Sequence, residues 1–191
     1  VWAGTLQFDC TMENSPVWLN RFAVLSSNGG NFKGGIKADY GAVIRPGGKN
    51  CIGSIETTTL ALNFGSAVEF ELDNEGNCDI IKANTMKIEK KDWTGGPQYL
   101  APHFDIVLPS EVKAGTYKIA EIGTIEGDIN DITITGMNGH KARLTYADAV
   151  LSLIVEDMRE ATTIVWSGDV DNTWQLADKN NFKTLEGVSD V

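Results

Sequence analysis

Short stretches of alternating apolar and polar residues return along this sequence every ~15 to 25 residues, a spacing typical of repeat architectures. The first stretch, "GTLQFDCTM", places Leu6, Phe8 and Cys10 on one side of an extended chain. Later stretches read "SIETTTLALNF", "SAVEFEL", "CDIIKANTMKIEKKDW" and "HFDIVLP". No sustained helical period separates them, and a period of two is typical of strands with one buried face. The sequence therefore predicts an all-β fold.

The alternation also predicts which apolar side chains form the core of these strands. Glycine is abundant at 20 residues and proline scarce at 5, which suits tight turns between short strands. The predicted core positions are Ile55, Leu60, Leu62, Phe64, Val68, Phe70, Leu72, Ile80, Met86, Ile88, Phe104, Ile106 and Leu108.

The regular return of strands favours a coil of stacked parallel rungs over a sandwich of hairpins. A hairpin region is expected only late, between Thr116 and Val155, where "TYKIAEIG", "DITITGM", "KARLTYA" and "AVLSLIVE" follow one another closely. Asn138-Gly139 in this region is a dipeptide typical of two-residue hairpin turns. We therefore expect parallel coils first and antiparallel hairpin strands toward the C-terminal end.

Charge and hydropathy exclude two classes of partner. The 26 acidic and 16 basic residues give a formal net charge of -10, so nucleic acid is not an expected partner, because its binding needs basic side chains. No apolar run approaches the ~20 residues of a membrane span, so we expect no membrane insertion by this segment. The sequence starts at Val1 within strand-like residues, and we expect it to be a piece of a longer protein.

The three cysteines, Cys10, Cys51 and Cys78, are far apart and form no CxxC motif. A Cys10–Cys51 disulfide would be possible in an oxidising compartment, but buried free thiols that act as small hydrophobes are favoured. Neither His103 nor His140 lies near a cysteine at the spacing of zinc ligands, so no metal and no cofactor are expected.

The stretch from Gly41 to Lys90 resembles the passenger regions of bacterial autotransporters and the related autotransporter-associated β-strand repeats. The stretches "AGTYKIAEIGTIEGDINDITITG" and "ARLTYADAVLSLIVED" are similar to the closing segment of that family, and "ATTIVWSGDVDNTWQLADKNNF" to the opening of a further module. The matching residues are Gly41, Ala42, Pro46, Gly47, Ile52, Gly53, Leu60, Gly65, Ser66, Glu71, Leu72 and Asp79, followed by Trp166, Gly168, Trp174, Asn181 and Phe182.

The resemblance implies a short right-handed parallel β-helix at residues 1–160, with residues 161–191 as the start of a following module or a tail. It implies a non-catalytic structural or spacer module in a secreted or surface-exposed bacterial protein, whose partners are other domains of a larger parent chain. The cysteines depart from the family pattern, because such passengers usually avoid them. No outer-membrane barrel is recognised, so the resemblance does not indicate the secretion route.

The stretch "RPGGKNCIGS" is interpreted as a structural turn of the coil. Pro46 fixes its own φ, and Gly47 accepts backbone conformations closed to other residues, before the chain passes Gly53 into the next strand. The order of residues does not match a phosphate-binding loop, which needs GxxxxGK[ST] and a following helix.

The alternative function is a carbohydrate-binding module attached to a polysaccharide-degrading protein. Trp93 and Tyr99 are the candidate ligand-binding residues, because they lie in the polar, glycine-rich stretch "KKDWTGGPQY" and an aromatic face can pack on a sugar ring. The competing interpretation of Trp93 is a loop residue that covers the end of the coil.

Enzyme function is the third class, and the sequence offers weak candidates for it. Glu69 and Glu71 share a strand face, as the two carboxylates of a glycosidase could, but solvated surface acids explain them more simply. The Asp-rich turns at 127–132 and 168–174 each bring only two carboxylates, so turn formation explains them better than Ca²⁺ binding. His103 and His140 have no serine nearby in a nucleophile-elbow context, so we expect no catalytic triad and no enzyme.

Overall fold

The computed structural model describes residues 1–90, 101–110 and 112–156, together with the backbone of 164–166 and 182–184. The chain divides into two compact units, Val1–Asp157 and Met158–Val191. In the second unit, β16 (Ile164–Trp166) pairs antiparallel with β17 (Phe182–Thr184). The first unit contains all the other strands among the described residues.

The first sheet of the large unit, sheet A, has six strands in the order β1-β4-β7-β9-β11-β13, and each pair of neighbours runs parallel. The order along the sheet follows the order along the sequence. Its strands are β1 (Gly4–Gln7), β4 (Ala23–Ser27), β7 (Val43–Pro46), β9 (Ala67–Glu71), β11 (His103–Val107) and β13 (Thr133–Thr135).

The second sheet, sheet B, is parallel up to β12 and antiparallel beyond it. Strands β2 and β3 pair with β5 and β6, which both pair with the long β8, so two short strands fill one layer of the sheet. Its strands are β2 (Thr11–Met12), β3 (Val17–Leu19), β5 (Gly30–Phe32), β6 (Ile36–Ala38), β8 (Ser54–Leu62), β10 (Ile80–Ile88), β12 (Gly115–Glu126), β14 (Ala142–Ala147) and β15 (Val150–Val155).

The chain alternates between the two sheets, because each strand of sheet A is followed by one or two strands of sheet B. The only helical element described in this unit is a 3-10 turn at Ile129–Asp131. The prediction of an all-β fold is therefore confirmed, with one wholly parallel sheet and one mixed sheet.

The core follows the register of sheet A, where the same row position is apolar in all six strands. The four inner members of this row are at most 1% exposed, and the two end members are half-buried. Burial of such side chains stabilises the fold by about 1.5–3 kcal/mol each. The row comprises Leu6, Leu25, Ile44, Val68, Phe104 and Ile134.

In each long strand of sheet B, the alternation of buried and exposed side chains shifts by one residue near the middle of the strand. In the first half of β8, Ile55 and Thr57 are buried. In the second half, Leu60 and Leu62 are buried, so the alternation shifts by one residue between Thr57 and Leu60. In β10 the shift means that Ile81 is buried and Ile80 is only half-buried. The prediction of Ile80 as a core residue is therefore wrong, because a strict period of two cannot represent a bend within a strand.

One turn from sheet B to sheet A repeats in three successive layers. Its first residue accepts a hydrogen bond from the backbone N–H three positions on, at 2.9–3.0 Å, and its third residue has a positive φ. Phe64, predicted as a core residue, lies in this turn and is half-buried instead. The three turns are Asn20–Ala23, Asp39–Ala42 and Asn63–Ser66.

The late hairpin is formed by β14 and β15, and its turn is Asp148-Ala149, where both residues have positive φ (51° and 61°). Asn138-Gly139 also forms a tight turn, closed by the His140 N–H and the Met137 carbonyl at 2.9 Å. That turn joins β13 of sheet A to β14 of sheet B, so the prediction of a hairpin at Asn138-Gly139 is wrong.

Candidate functional site

In the turn between β7 and β8, two glycines lie very close to neighbouring atoms of the protein. Pro46 is the last residue of β7, and Gly47 follows it with φ 78°. A Cβ on Gly47 would lie 2.0 Å from the Cys51 carbonyl oxygen and 2.8 Å from Asp79 Oδ1. A Cβ on Gly53 would lie 2.5 Å from Gly47 Cα. Both glycines therefore allow close approach of the backbone around one carboxylate.

That carboxylate belongs to Asp79, whose side chain is fully buried. Its Oδ1 accepts a hydrogen bond from the Gly53 N–H, and its Oδ2 accepts one from the Glu71 N–H, both at 2.8 Å. Asp79 thereby ties the start of β8 to the end of β9. Burial, and the nearby charges of Glu71 and Glu69, raise its pKa to about 7 despite these two hydrogen bonds.

Glu71 and Glu69 differ from the solvated surface acids expected from the sequence. Glu71 is only 7% exposed and accepts a hydrogen bond from the Asn50 N–H at 2.5 Å. Glu69 is partly buried and faces Arg45, with Nε and Oε1 at 2.7 Å and Nη2 and Oε2 at 3.1 Å. The expectation of solvated acids is corrected: Glu71 holds the β7–β8 turn, and Glu69 forms an ion pair with Arg45.

Sequence reasoning did not identify Asp79 as the centre of this cluster. The available signal was a charged residue between apolar neighbours, Cys78 and Ile80-Ile81, at the start of a strand. An aspartate in such a position is buried only when its oxygens are satisfied, and here two backbone N–H groups satisfy them. We refer to Arg45, Glu69, Glu71 and Asp79 as the carboxylate cluster.

All three cysteines are free in the described structure. Cys78 is buried in the core, as expected, and its thiol lies 2.9 Å from the Lys118 carbonyl oxygen. Burial and the charges of Asp79 and Asp73 raise its pKa to about 11, which makes it a poor nucleophile. Cys10 and Cys51 are exposed, so the expectation of buried thiols is wrong for them.

Two open clefts lie on the described surface of sheet B. The larger, of about 580 Å³, lies beside Cys78 and is bordered by Asp73, Asn77 and Tyr117. The smaller, of about 250 Å³, lies over the row Glu56, Lys82 and Glu121. Lys82 Nζ is 3.5 Å from Glu121 Oε2, so two of the three charged side chains of this row pair with each other.

The remaining sequence candidates lie partly outside the described residues. Trp93 and Tyr99 lie outside the described residues, as does the turn at 168–174. His103 lies in β11, whereas His140 follows the turn before β14. In the turn at 127–132, Asp128 accepts the Asn130 N–H at 2.9 Å, and Asp131 pairs with Lys90 at 2.7 Å. Among the described residues, no group of histidine, cysteine and carboxylate side chains could hold a metal ion.

No helix within the described residues has the length and apolar composition that crossing a bilayer requires. Comparison of the sequence with protein-family models and with curated proteins finds no match.

Proposed function

We propose that this chain is a short right-handed parallel β-helix that acts as a non-catalytic structural spacer in a secreted or surface-exposed bacterial protein. The spacer role rests on geometry, and the surface location rests on the resemblance to autotransporter passengers. In this proposal the partners are other domains of the parent chain, which the stack holds at a fixed separation.

The observation that carries the proposal is one unbroken register row across the six parallel strands of sheet A. This row begins at Thr5 and ends at Thr133, which are both exposed, and it lies one residue before the apolar row of Leu6 to Ile134. Parallel strands need crossover connections, and here the crossovers are themselves strands of sheet B. Up to β12 the chain alternates between parallel strands of the two sheets, and this favours stacked coils over a sandwich of hairpins.

The chemistry of the carboxylate cluster supports a structural role. Asp79 and Glu71 use their oxygens on backbone N–H groups, and Glu69 uses its oxygens on Arg45. A general acid or base must instead reach a proton on the substrate. These carboxylates hold a turn between two layers, which is what a rigid spacer needs.

The rigidity of the stack can be tested by spin-label distances. In a Cys10→Ser, Cys51→Ser background, labels at Thr5→Cys and Thr133→Cys are separated by five inter-strand steps, which is ~24 Å at ~4.8 Å per step. A second pair, Gln7→Cys with Thr135→Cys, lies two residues further along each strand and should give the same separation. Two narrow and equal distance distributions are expected, and broad or unequal ones would reject the spacer proposal.

A glycan array separates the spacer from the alternative, a carbohydrate-binding module. The folded protein is screened with and without Ca²⁺ beside Trp93→Ala and Tyr99→Ala variants. Absence of binding is the expected result. Binding that both variants lose would assign the chain to carbohydrate recognition and reject the non-binding spacer.

A further inference from the structure

Asparagine is followed by glycine at two places in this chain, Asn28-Gly29 and Asn138-Gly139. All four residues are exposed. In such a pair the backbone nitrogen of the glycine can attack the side-chain amide carbon of the asparagine, because the glycine has no Cβ to hinder the approach. The two pairs therefore have the same intrinsic reactivity, and the structure around each pair decides whether the attack can occur in the folded protein.

The Asn28-Gly29 pair is tied to the layers on both sides of it. The Gly29 N–H, whose nitrogen would attack, donates a hydrogen bond to the Ser54 carbonyl oxygen at 2.7 Å. The Asn28 N–H donates one to Asp9 Oδ1 at 2.7 Å, and the Asn28 side-chain Nδ2 lies 3.9 Å from Cys51 Sγ. Attack at this pair requires these contacts to break, so it needs a local opening of the stack.

The Asn138-Gly139 pair has no such restraint. The hydrogen bond that closes its turn joins the His140 N–H to the Met137 carbonyl oxygen, and it involves neither residue of the pair. Within the part of the chain that the structure describes, the Gly139 N–H and the Asn138 side chain have no hydrogen-bond partner. The strands on either side, β13 and β14, pair with β11 and β15 rather than with each other. The turn can therefore deform without breaking a strand pair.

We propose that Asn138 is a self-modification site, where the Gly139 nitrogen converts the asparagine of the folded protein to isoaspartate or aspartate. The attack forms a bond between Gly139 N and Asn138 Cγ and breaks the bond between Cγ and Nδ2. Ammonia leaves and takes up the proton of the Gly139 N–H. Water then opens the resulting succinimide ring at either carbonyl carbon. One opening gives aspartate, and the other gives isoaspartate, in which the main chain passes through Cγ.

The modification changes a connection between the two sheets. Isoaspartate adds one carbon to the main chain of the turn that joins β13 of sheet A to β14 of sheet B. Either product replaces one neutral amide by one carboxylate, so the formal net charge changes from -10 to -11. Anion exchange therefore separates the modified protein from the unmodified protein.

Peptide mass spectrometry tests the proposal, with Asn28 as the matched control within the same molecule. The folded protein is incubated near neutral pH beside a sample in concentrated urea. In the folded sample, Asn138 should convert at least about 10-fold faster than Asn28, because only Asn28 must first lose hydrogen bonds. In urea the two asparagines should convert at similar rates. Asn138→Gln should remove the acidic species from the folded sample, because glutamine does not form the five-membered ring.

Three results would overturn the proposal. Similar rates at Asn28 and Asn138 in the folded sample would mean that modification proceeds through unfolding. An Asn138 that stays intact in the folded sample while it converts in urea would mean that the turn prevents the attack. An acidic species that persists in Asn138→Gln would have to arise elsewhere in the chain.

Discussion

At the scale of single residues, Asp79 is a fully buried ionisable group whose hydrogen bonds join the start of β8 to the end of β9. Its pKa of about 7 lies above the ordinary value of 3.8, so the folded state holds the proton more tightly than the unfolded state. The resulting stabilisation is fully present below about pH 3.8 and is lost as the pH rises through about 7. In the folded state, Glu71 and Glu69 face this group from β9 and Arg45 lies on β7.

Asp79→Asn should destabilise the fold by about 1–3 kcal/mol at pH 5, because the amide NH2 cannot accept a hydrogen bond from the second backbone N–H, whereas the hydroxyl oxygen of protonated Asp79 can. The difference between wild type and variant should shrink by pH 8, where the wild type has lost its protonation-linked stability. Urea unfolding of both proteins at pH 5, 6, 7 and 8 measures this. A difference that is independent of pH would show that Asp79 is already ionised throughout this range.

Substitutions at Gly47 and Gly76 distinguish two effects of an added side chain, backbone strain and steric overlap. Gly47→Ala places a methyl group 2.0 Å from the Cys51 carbonyl oxygen at a φ of 78°. Gly76→Ala is the matched control, because Gly76 also has a positive φ, 95°, but no atom lies within 4 Å of its added Cβ. We expect about 1–2 kcal/mol of destabilisation at Gly76 from strain alone, and clearly more at Gly47. Equal unfolding midpoints for the two variants would mean that the turn around Asp79 can relax.

At the scale of secondary-structure elements, the sequence predicts the strands well and their bends poorly. The alternating stretches correspond to β8, β9, β10 and β11, because each strand buries one face. The shift from Ile80 to Ile81 in the core was missed, since it depends on a bend shared by neighbouring layers. Such a bend is set by pairing across the sheet rather than by local sequence.

The turns and the carboxylate cluster also depend on contacts between residues that are far apart in the sequence, which local patterns cannot predict. Asn138-Gly139 does form a turn, but only tertiary pairing decides that the hairpin closes at Asp148-Ala149. Asp79 is 26 residues from Gly53, whose N–H it accepts, so no local pattern could indicate that hydrogen bond. The sequence therefore predicts the class of fold and the Pro46–Gly47 turn position, whereas the contacts between layers come from the structure.

At the scale of the whole molecule, each layer of the stack contacts mainly the layers beside it, so stability should vary along the stack. Among the described strands, β8 and β10 have neighbours on both sides and bury Leu60 and Met86, whereas β1 has one neighbour and leaves Leu6 half-buried. Backbone amides of β8 and β10 should therefore exchange most slowly, and those of β1 fastest, in a hydrogen-exchange measurement.

Two substitutions make this gradient a quantitative test. Ile81→Ala, at a position 1% exposed between β8 and β12, should cost about 2–5 kcal/mol and raise exchange throughout β8, β10 and β12. Leu6→Ala should raise exchange only in β1 and its neighbour β4, because the open end can loosen without unfolding the interior. If Leu6→Ala raised exchange in β10 as strongly as Ile81→Ala does, the unit would unfold as a single cooperative body, and coupling between layers would extend through the whole stack.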